Sequence, residues 1–251
     1  MVRGGRVLFA ILKLLFLGVS TAVAALAVIA VATVDARAAY RLCQVWARLN
    51  LVAFGIRVRT RRLAPLDPAA AYVFMSNHRS HLDVLAVVAA IPEFQLRWVA
   101  KRELTRVPFF GWALKRGGHI IIDRGDHVQA VETLRAAQRQ TDQGISVIIF
   151  PEGTRAASDD ALLPFKKGGF MLAIQTGLPI VPIAVRGSRA LLPKKTWRIR
   201  SGTIDVVVGG PIPVAGAARE ELMERVRAFM QAQLELRAEA PAAPAVAARA
   251  S

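Results

Sequence analysis

The chain has 251 residues, 54% of them hydrophobic, and a mean hydropathy of +0.37, too apolar for a disordered chain and long enough for one α/β domain with a sizeable core. Lys and Arg number 34 against 18 Asp and Glu, a formal charge of +16, which excludes basic partners and leaves phosphorylated metabolites, anionic lipid or nucleic acid. The single cysteine, Cys43, excludes an intrachain disulfide framework and a cysteine-based zinc site, and two Tyr weaken a base-stacking role.

Residues 1 to 63 hold ten basic side chains and one acid, Asp35. Within them, residues 14 to 34 are 21 consecutive uncharged, mostly apolar residues, enough at about 1.5 Å per residue to cross a hydrocarbon core of roughly 30 Å. A cleaved signal peptide is the alternative, with Arg3 and Arg6 as its basic region and Ala36-Arg37-Ala38 as a cleavage site. The apolar stretch is longer than such signals carry, which favours an uncleaved anchor. Residues 38 to 58 mix Tyr40, Trp46 and Phe54 with Arg41 and Arg48, the composition of a helix at headgroup depth. Seven basic residues follow the apolar stretch and three precede it, which keeps the downstream part cytoplasmic. The cluster Arg57 to Arg62 reads as a contact for anionic lipid rather than for nucleic acid.

Beyond Arg62 the texture is soluble. Short apolar runs at 72–76, 96–100, 119–122, 145–150, 180–185 and 204–208, each bounded by Gly, Pro or charge, read as strands. Helical patterns lie between them at 82–90, 126–143 and 169–176, and an amphipathic one covers 220–237. Such alternation predicts an α/β fold, a largely parallel sheet flanked by helices, behind an N-terminal membrane-anchoring helical segment. The expected organisation is an anchor with its basic interfacial helix at 1–63, an α/β domain at 64–236 and a disordered Ala/Pro-rich tail at 237–251.

Four blocks carry chemistry. The first, Ser76-Asn77-His78-Arg79-Ser80-His81-Leu82-Asp83, follows the first of these strands. Ser80 and Asp83 are spaced as a helix capping pair, a purely structural use. The same geometry turns an acid in the first helical turn back toward His78, where a carboxylate on one ring nitrogen leaves the other as a base. His81 is the rival imidazole, and spacing does not choose between them. The second block, Phe150-Pro151-Glu152-Gly153-Thr154-Arg155, ends a very apolar strand; Gly permits close approach, Arg offers a fork for phosphate, and Glu could hold that Arg. Gly118 to Arg124 and Val181-Pro182-Ile183 complete the set, each singly no more than a strand end or a buried strand.

Taken together in order, these blocks resemble the glycerophospholipid acyltransferase family, specifically bacterial 1-acylglycerol-3-phosphate (lysophosphatidic acid) acyltransferases, over roughly residues 70 to 190. The resemblance implies transfer of a fatty acyl group from acyl-CoA or acyl carrier protein to the sn-2 hydroxyl of a lysophospholipid. It assigns His78 as general base and Asp83 as its orienter. It also implies an acceptor-phosphate site at Arg124, Glu152, Gly153 and Arg155, with Lys101 as a weaker addition, and gives the intervening Arg79 no role. Amides near Gly153 and Thr154 are candidate oxyanion donors.

No metal or other cofactor is required by this chemistry, because a thiol leaves readily. The expected partners are a lysophospholipid, an acyl thioester and membrane lipid, with no nucleic acid, and the expected location is the cytoplasmic side of the inner membrane. Alternatives are an acyltransferase of the same family acting on lyso-ornithine lipid or another lysophospholipid, a hydrolase, and a non-enzymatic basic membrane protein. The hydrolase is disfavoured by the absence of a Gly-x-Ser-x-Gly elbow.

Overall fold

The computed structural model describes residues 2–122, 144–158 and 161–236, with side chains from residue 8 onward. Seven strands form one sheet: β1 (Ile56–Arg62), β2 (Val73–Ser76), β3 (Leu96–Lys101), β4 (Ile120–Ile122), β5 (Ser146–Ile149), β6 (Ile180–Arg186) and β7 (Gly202–Val208). Their order is β1-β7-β6-β2-β5-β3-β4. The five strands from β6 to β4 run parallel, whereas β7 meets β6 antiparallel and β1 runs parallel to β7.

The strands between the edges are apolar on both faces, as a sheet covered twice requires. Phe74, Ile148, Val181 and Ile183 face one core, while Val73, Met75, Val147, Ile149 and Ile180 face the other, following the two-residue period of the pleat. Helices α1 (Val2–Val31), α2 (Ala36–Ala53) and α3 (Leu82–Ala90) cover the first face. Helices α5 (Gly168–Thr176) and α7 (Arg219–Glu235) cover the second. Short α4 (Phe110–Arg116) packs against α1, and α6 (Ser188–Leu191) is a single turn after β6.

The expected strands and the helices at 82–90, 169–176 and 220–237 appear within one or two residues of their sequence bounds. The helix expected at 126–143 and the tail at 237–251 lie outside the described residues. One assignment is corrected. Residues 56–62, placed with the anchor, form β1, paired with β7 from Ile56↔Gly202 to Arg62↔Val208. The α/β domain therefore takes in Ile56, and the boundary expected after residue 63 falls inside it. Three of the four arginines of this strand also have protein partners. Arg59 bonds Asp205 at 2.7 Å, Arg61 bonds Gln233 at 2.8 Å and Arg62 bonds Glu93 at 3.0 Å. Charge on an edge strand also discourages pairing with another chain.

The first two helices form an antiparallel hairpin. Asp35 caps α2 by accepting the amides of Arg37 and Ala38 at 2.7 and 3.0 Å. Ser20 Oγ of α1 donates to Asn50 Oδ1 of α2 at 3.2 Å, and Lys13 Nζ donates to the carbonyl of Phe54 at 3.1 Å. Helix α2 lays Tyr40, Ala47 and Leu51 into the core beside α3, so α1 lies on the domain as an outer layer. Residues 8–31 of α1 are apolar and long enough, by length and composition, to cross a membrane. Their outward face exposes Leu8, Phe9, Ile11, Leu12, Leu15, Phe16, Val19, Val23 and Leu26.

Candidate active site

Four adjacent parallel strands, β2, β5, β3 and β4, present their carboxyl ends along one edge, the edge where α/β sheets form their sites. Sequence blocks far apart meet there: the His78 loop follows β2, the Glu152 turn follows β5, and Lys101 ends β3. Arg124 itself lies outside the described residues.

The loop after β2 is fixed before chemistry enters. Asn77, fully buried, donates its amide to the Val185 carbonyl at 2.9 Å and accepts the Val185 N–H at 2.7 Å, pinning the loop to β6. Asp83 sits buried in the first turn of α3, where the helix dipole favours negative charge. Its Oδ2 accepts His78 Nδ1 at 2.8 Å, the Arg79 amide at 2.6 Å and the Ser80 amide at 2.8 Å. One oxygen of Asp83 thus makes both the capping contacts to the loop amides and the contact to the His78 ring. Because Nδ1 must donate to that carboxylate, the lone pair of His78 is on Nε2. The ring stacks on Phe150 at 3.9 Å and 9°, with Trp98 tilted against Phe150 at 5.5 Å, and the His78 side chain keeps 15% of its surface exposed.

Glu152 does not hold Arg155, as the sequence suggested. Its partner is Arg79, whose Nη1 lies 2.9 Å from both carboxylate oxygens; Oε1 also accepts the His78 amide, and Oε2 the Leu163 amide, each at 2.9 Å. Arg79 and Glu152 are 1% and 2% exposed. With every contact directed into the protein, Glu152 acts on the site by holding its loops and has no face left for a substrate phosphate. Arg79 is the residue that the sequence reading missed. Its amide binds Asp83 and its guanidinium binds Glu152, so it ties the two carboxylates to His78 between them. The only sequence signal was a basic residue inside a catalytic loop, and no spacing rule pairs positions 73 apart.

Gly153 adopts φ +68, a left-handed turn that favours glycine. Its amide donates to the Phe150 carbonyl at 2.9 Å, so it is not the free oxyanion donor expected; exposed Thr154 remains as a candidate. Arg155 is half-buried, and its carbonyl accepts Lys194 Nζ at 3.1 Å. Partial desolvation, then the charge of Arg155 and the nearby His78, pushes the His81 imidazole down to about 4. His81 makes no side-chain cap of α3. Lys101 is half-buried and in register with Ile122. Among the described residues, no three His, Cys, Asp or Glu side chains converge as a metal site.

A family model described as Acyltransferase matches residues 56–186, starting at the first residue of β1. The chain belongs to the acyltransferase family. A 1-acyl-sn-glycerol-3-phosphate acyltransferase of Helicobacter pylori is 31% identical over 196 residues, 77% of this chain and 79% of that protein. The alpha forms of the enzyme with that name from Ovis aries and Homo sapiens are each 38% identical over 181 residues, 70% of this chain. The match spans 62% and 63% of the lengths of those two relatives. The crystal structure of the 1-acyl-sn-glycerophosphate acyltransferase from Thermotoga maritima shares the fold, with a TM-score of 0.80 over 97% of this chain and 100% of that one at 21% identity. For an acyltransferase, a histidine with one nitrogen committed to a buried carboxylate and the other free of described protein partners is the arrangement that removes a proton from a hydroxyl.

Proposed function

We propose that the protein transfers a fatty acyl group from a thioester to the sn-2 hydroxyl of 1-acylglycerol-3-phosphate, making phosphatidic acid. The observation that carries this reading is the His78–Asp83 hydrogen bond of 2.8 Å at the carboxyl edge of the sheet. The acceptor hydroxyl gives its proton to Nε2 of His78 as its oxygen adds to the thioester carbonyl. Collapse of the tetrahedral adduct breaks the C–S bond, and the leaving thiolate takes the proton from the imidazolium that Asp83 has stabilised. Arg155, Arg124 and Lys101 would hold the acceptor phosphate and Thr154 would donate to the oxyanion, whereas Glu152 and Arg79 position the base. The scheme uses no metal or prosthetic group. An acyl-cysteine step is disfavoured, since burial pushes the Cys43 thiol up to about 11, the reverse of what activates a thiol.

The exposed apolar face of α1 supports membrane association. Lys13 and Asn50 tie α1 along a helix embedded in the domain core, so the helix lies in one leaflet rather than crossing the bilayer in this reading. The inner membrane, on the side that holds cytoplasmic thioesters, is the location that fits the donors. Lysolipid substrate and product also remain in the bilayer there; at about 0.8 kcal/mol per methylene, extracting a myristoyl-length chain costs on the order of 10 kcal/mol.

The test is an assay of the solubilised full chain with lysophosphatidic acid, lyso-ornithine lipid and phosphate-free monoacylglycerol, each with acyl-CoA and with acyl carrier protein. Fastest turnover on lysophosphatidic acid is expected. Preference for lyso-ornithine lipid would move the acceptor while keeping the chemistry, and thioester hydrolysis without transfer would overturn the reading.

A further inference from the structure

The surface carries a second apolar zone beside α1. Trp197 is 76% exposed, Trp112 56% and Phe109 40%. Phe109 and Trp112 meet edge to face at 5.6 Å. They are held in place by Gly111, where a Cβ would lie 2.2 Å from the Thr105 carbonyl oxygen, so that α4 can press against the preceding turn only without a side chain there. Phe109 has φ +60, a strained conformation for a bulky residue that keeps it at the surface. The chain near Trp197 is tied to α1 through Lys13 Nζ, 3.2 Å from the Ile199 carbonyl. Leu14, Leu17 and Thr21 of α1, with Phe109 and Trp197, line one open apolar groove of about 560 Å³. The zone is thus continuous with the lipid-facing side of α1.

Its rim is cationic. Lys195, Arg198 and Arg200 are exposed around Trp197, and Arg106, Lys115 and Arg116 around Phe109 and Trp112, while segments 101–118 and 191–201 contain one acid, Glu103. Exposed aromatics rimmed by Lys and Arg, next to an apolar helix face, form the composition of headgroup depth.

We propose that this zone is a second membrane contact, in which Trp197, Phe109 and Trp112 enter the headgroup layer of an anionic bilayer while the surrounding cations bind lipid phosphates. The proposal rests on the membrane association proposed above and deepens it. An acidic carrier protein would satisfy the charges but would leave large aromatic rings in water beside lipid; the bilayer covers both. The contact also bears on the reaction. Trp197 is three residues from Lys194, at most about 11 Å of extended chain, and Lys194 bonds the Arg155 carbonyl. Seating Trp197 among headgroups thus brings the candidate phosphate clamp to the depth at which a lysolipid phosphate lies.

The experiment labels single cysteines with an environment-sensitive fluorophore in the full-length Cys43→Ala protein, reconstituted in phosphatidylglycerol-containing vesicles. The sites are Trp197→Cys, Val23→Cys on the exposed face of α1, and Ala228→Cys on the exposed face of α7. The expected result is a blue shift and loss of emission to nitroxide-bearing lipid at positions 23 and 197 but not at 228. A label at 197 that stays open to aqueous iodide while position 23 is quenched by lipid overturns the second contact and leaves the membrane reading intact. Lipid quenching at none of the three overturns both. Protection at 197 that arises only on adding acyl carrier protein also overturns the proposal and makes the zone a carrier-docking surface. Lys195→Gln with Arg198→Gln should reduce the shift at 197 and leave that at 23 unchanged; an unchanged 197 signal would remove the cationic rim from the proposal.

Discussion

Around His78, position is set by polar groups in a dry environment: one Asp83 oxygen takes three donors, Glu152 takes the His78 and Leu163 amides plus a guanidinium, and Asn77 clasps β6. Along α1 the opposite holds. Its outward side chains are largely exposed at the described surface, and they are placed by apolar area rather than by polar contacts. A base must sit within tenths of an ångström of its proton, and hydrogen bonds in low dielectric provide that precision. A membrane contact needs only a free energy of transfer, which many sequences supply equally well.

The contrast is broken most sharply at the base. His78→Ala should lower turnover by about 10²- to 10⁴-fold, with Asp83→Asn close behind, and the far-UV spectrum unchanged. His81→Ala should stay within roughly tenfold of the parent, since the structure gives the carboxylate to His78. Equal loss at His81 would exchange the two imidazoles.

The Arg79–Glu152 pair comes next. Removing one member leaves a buried charge alone, so Arg79→Met and Glu152→Gln should each cost about 3–5 kcal/mol in denaturant unfolding. The double variant should recover part of that cost, the signature of a coupled pair. A positioning role further requires that Arg79→Met lower kcat with little change in KM for the acceptor. A KM effect alone would put Arg79 on the substrate instead.

Arg155→Gln should act on binding. Loss of a charge-assisted contact worth about 1.5–3 kcal/mol raises the KM for lysophosphatidic acid by roughly 10- to 150-fold and leaves that for the thioester nearly unchanged. The same substitution removes a positive charge that depresses His81, so its titration, at about 4 in the parent, should move upward toward the ordinary histidine value when followed by NMR. A His81 titration that does not move would separate Arg155 from the histidines.

The smallest change is expected at α1. High salt or carbonate should leave the full chain in the membrane pellet, because screening acts on charges and not on buried hydrocarbon. Extraction by salt alone would show that cations, rather than the α1 face, provide the attachment. Deleting residues 1–36 would not isolate the anchor, since it also uncovers α2 and removes the Lys13 tether.

What the sequence alone determined were properties carried by neighbours in the chain. The 21-residue apolar run, the apolar strands bounded by turn residues, and a first-turn acid, Asp83, turned back toward a loop histidine all depend on local period and spacing, whereas the choice of His78 over His81 came from the family resemblance and then from the hydrogen bond in space. Strand β1 escaped because only Ile56 of its seven residues is buried and arginines hide its alternation; its identity as a strand comes from β7, almost 150 residues away. The partner of Glu152 escaped for the same reason. Arg155 was near in sequence, but burial selects partners by distance in space, and parallel pairing of β2 with β5 put Arg79 there instead. Tertiary structure likewise decided that Trp197 lies beside α1, since that adjacency rests on Lys13 crossing 186 residues to bond the Ile199 carbonyl.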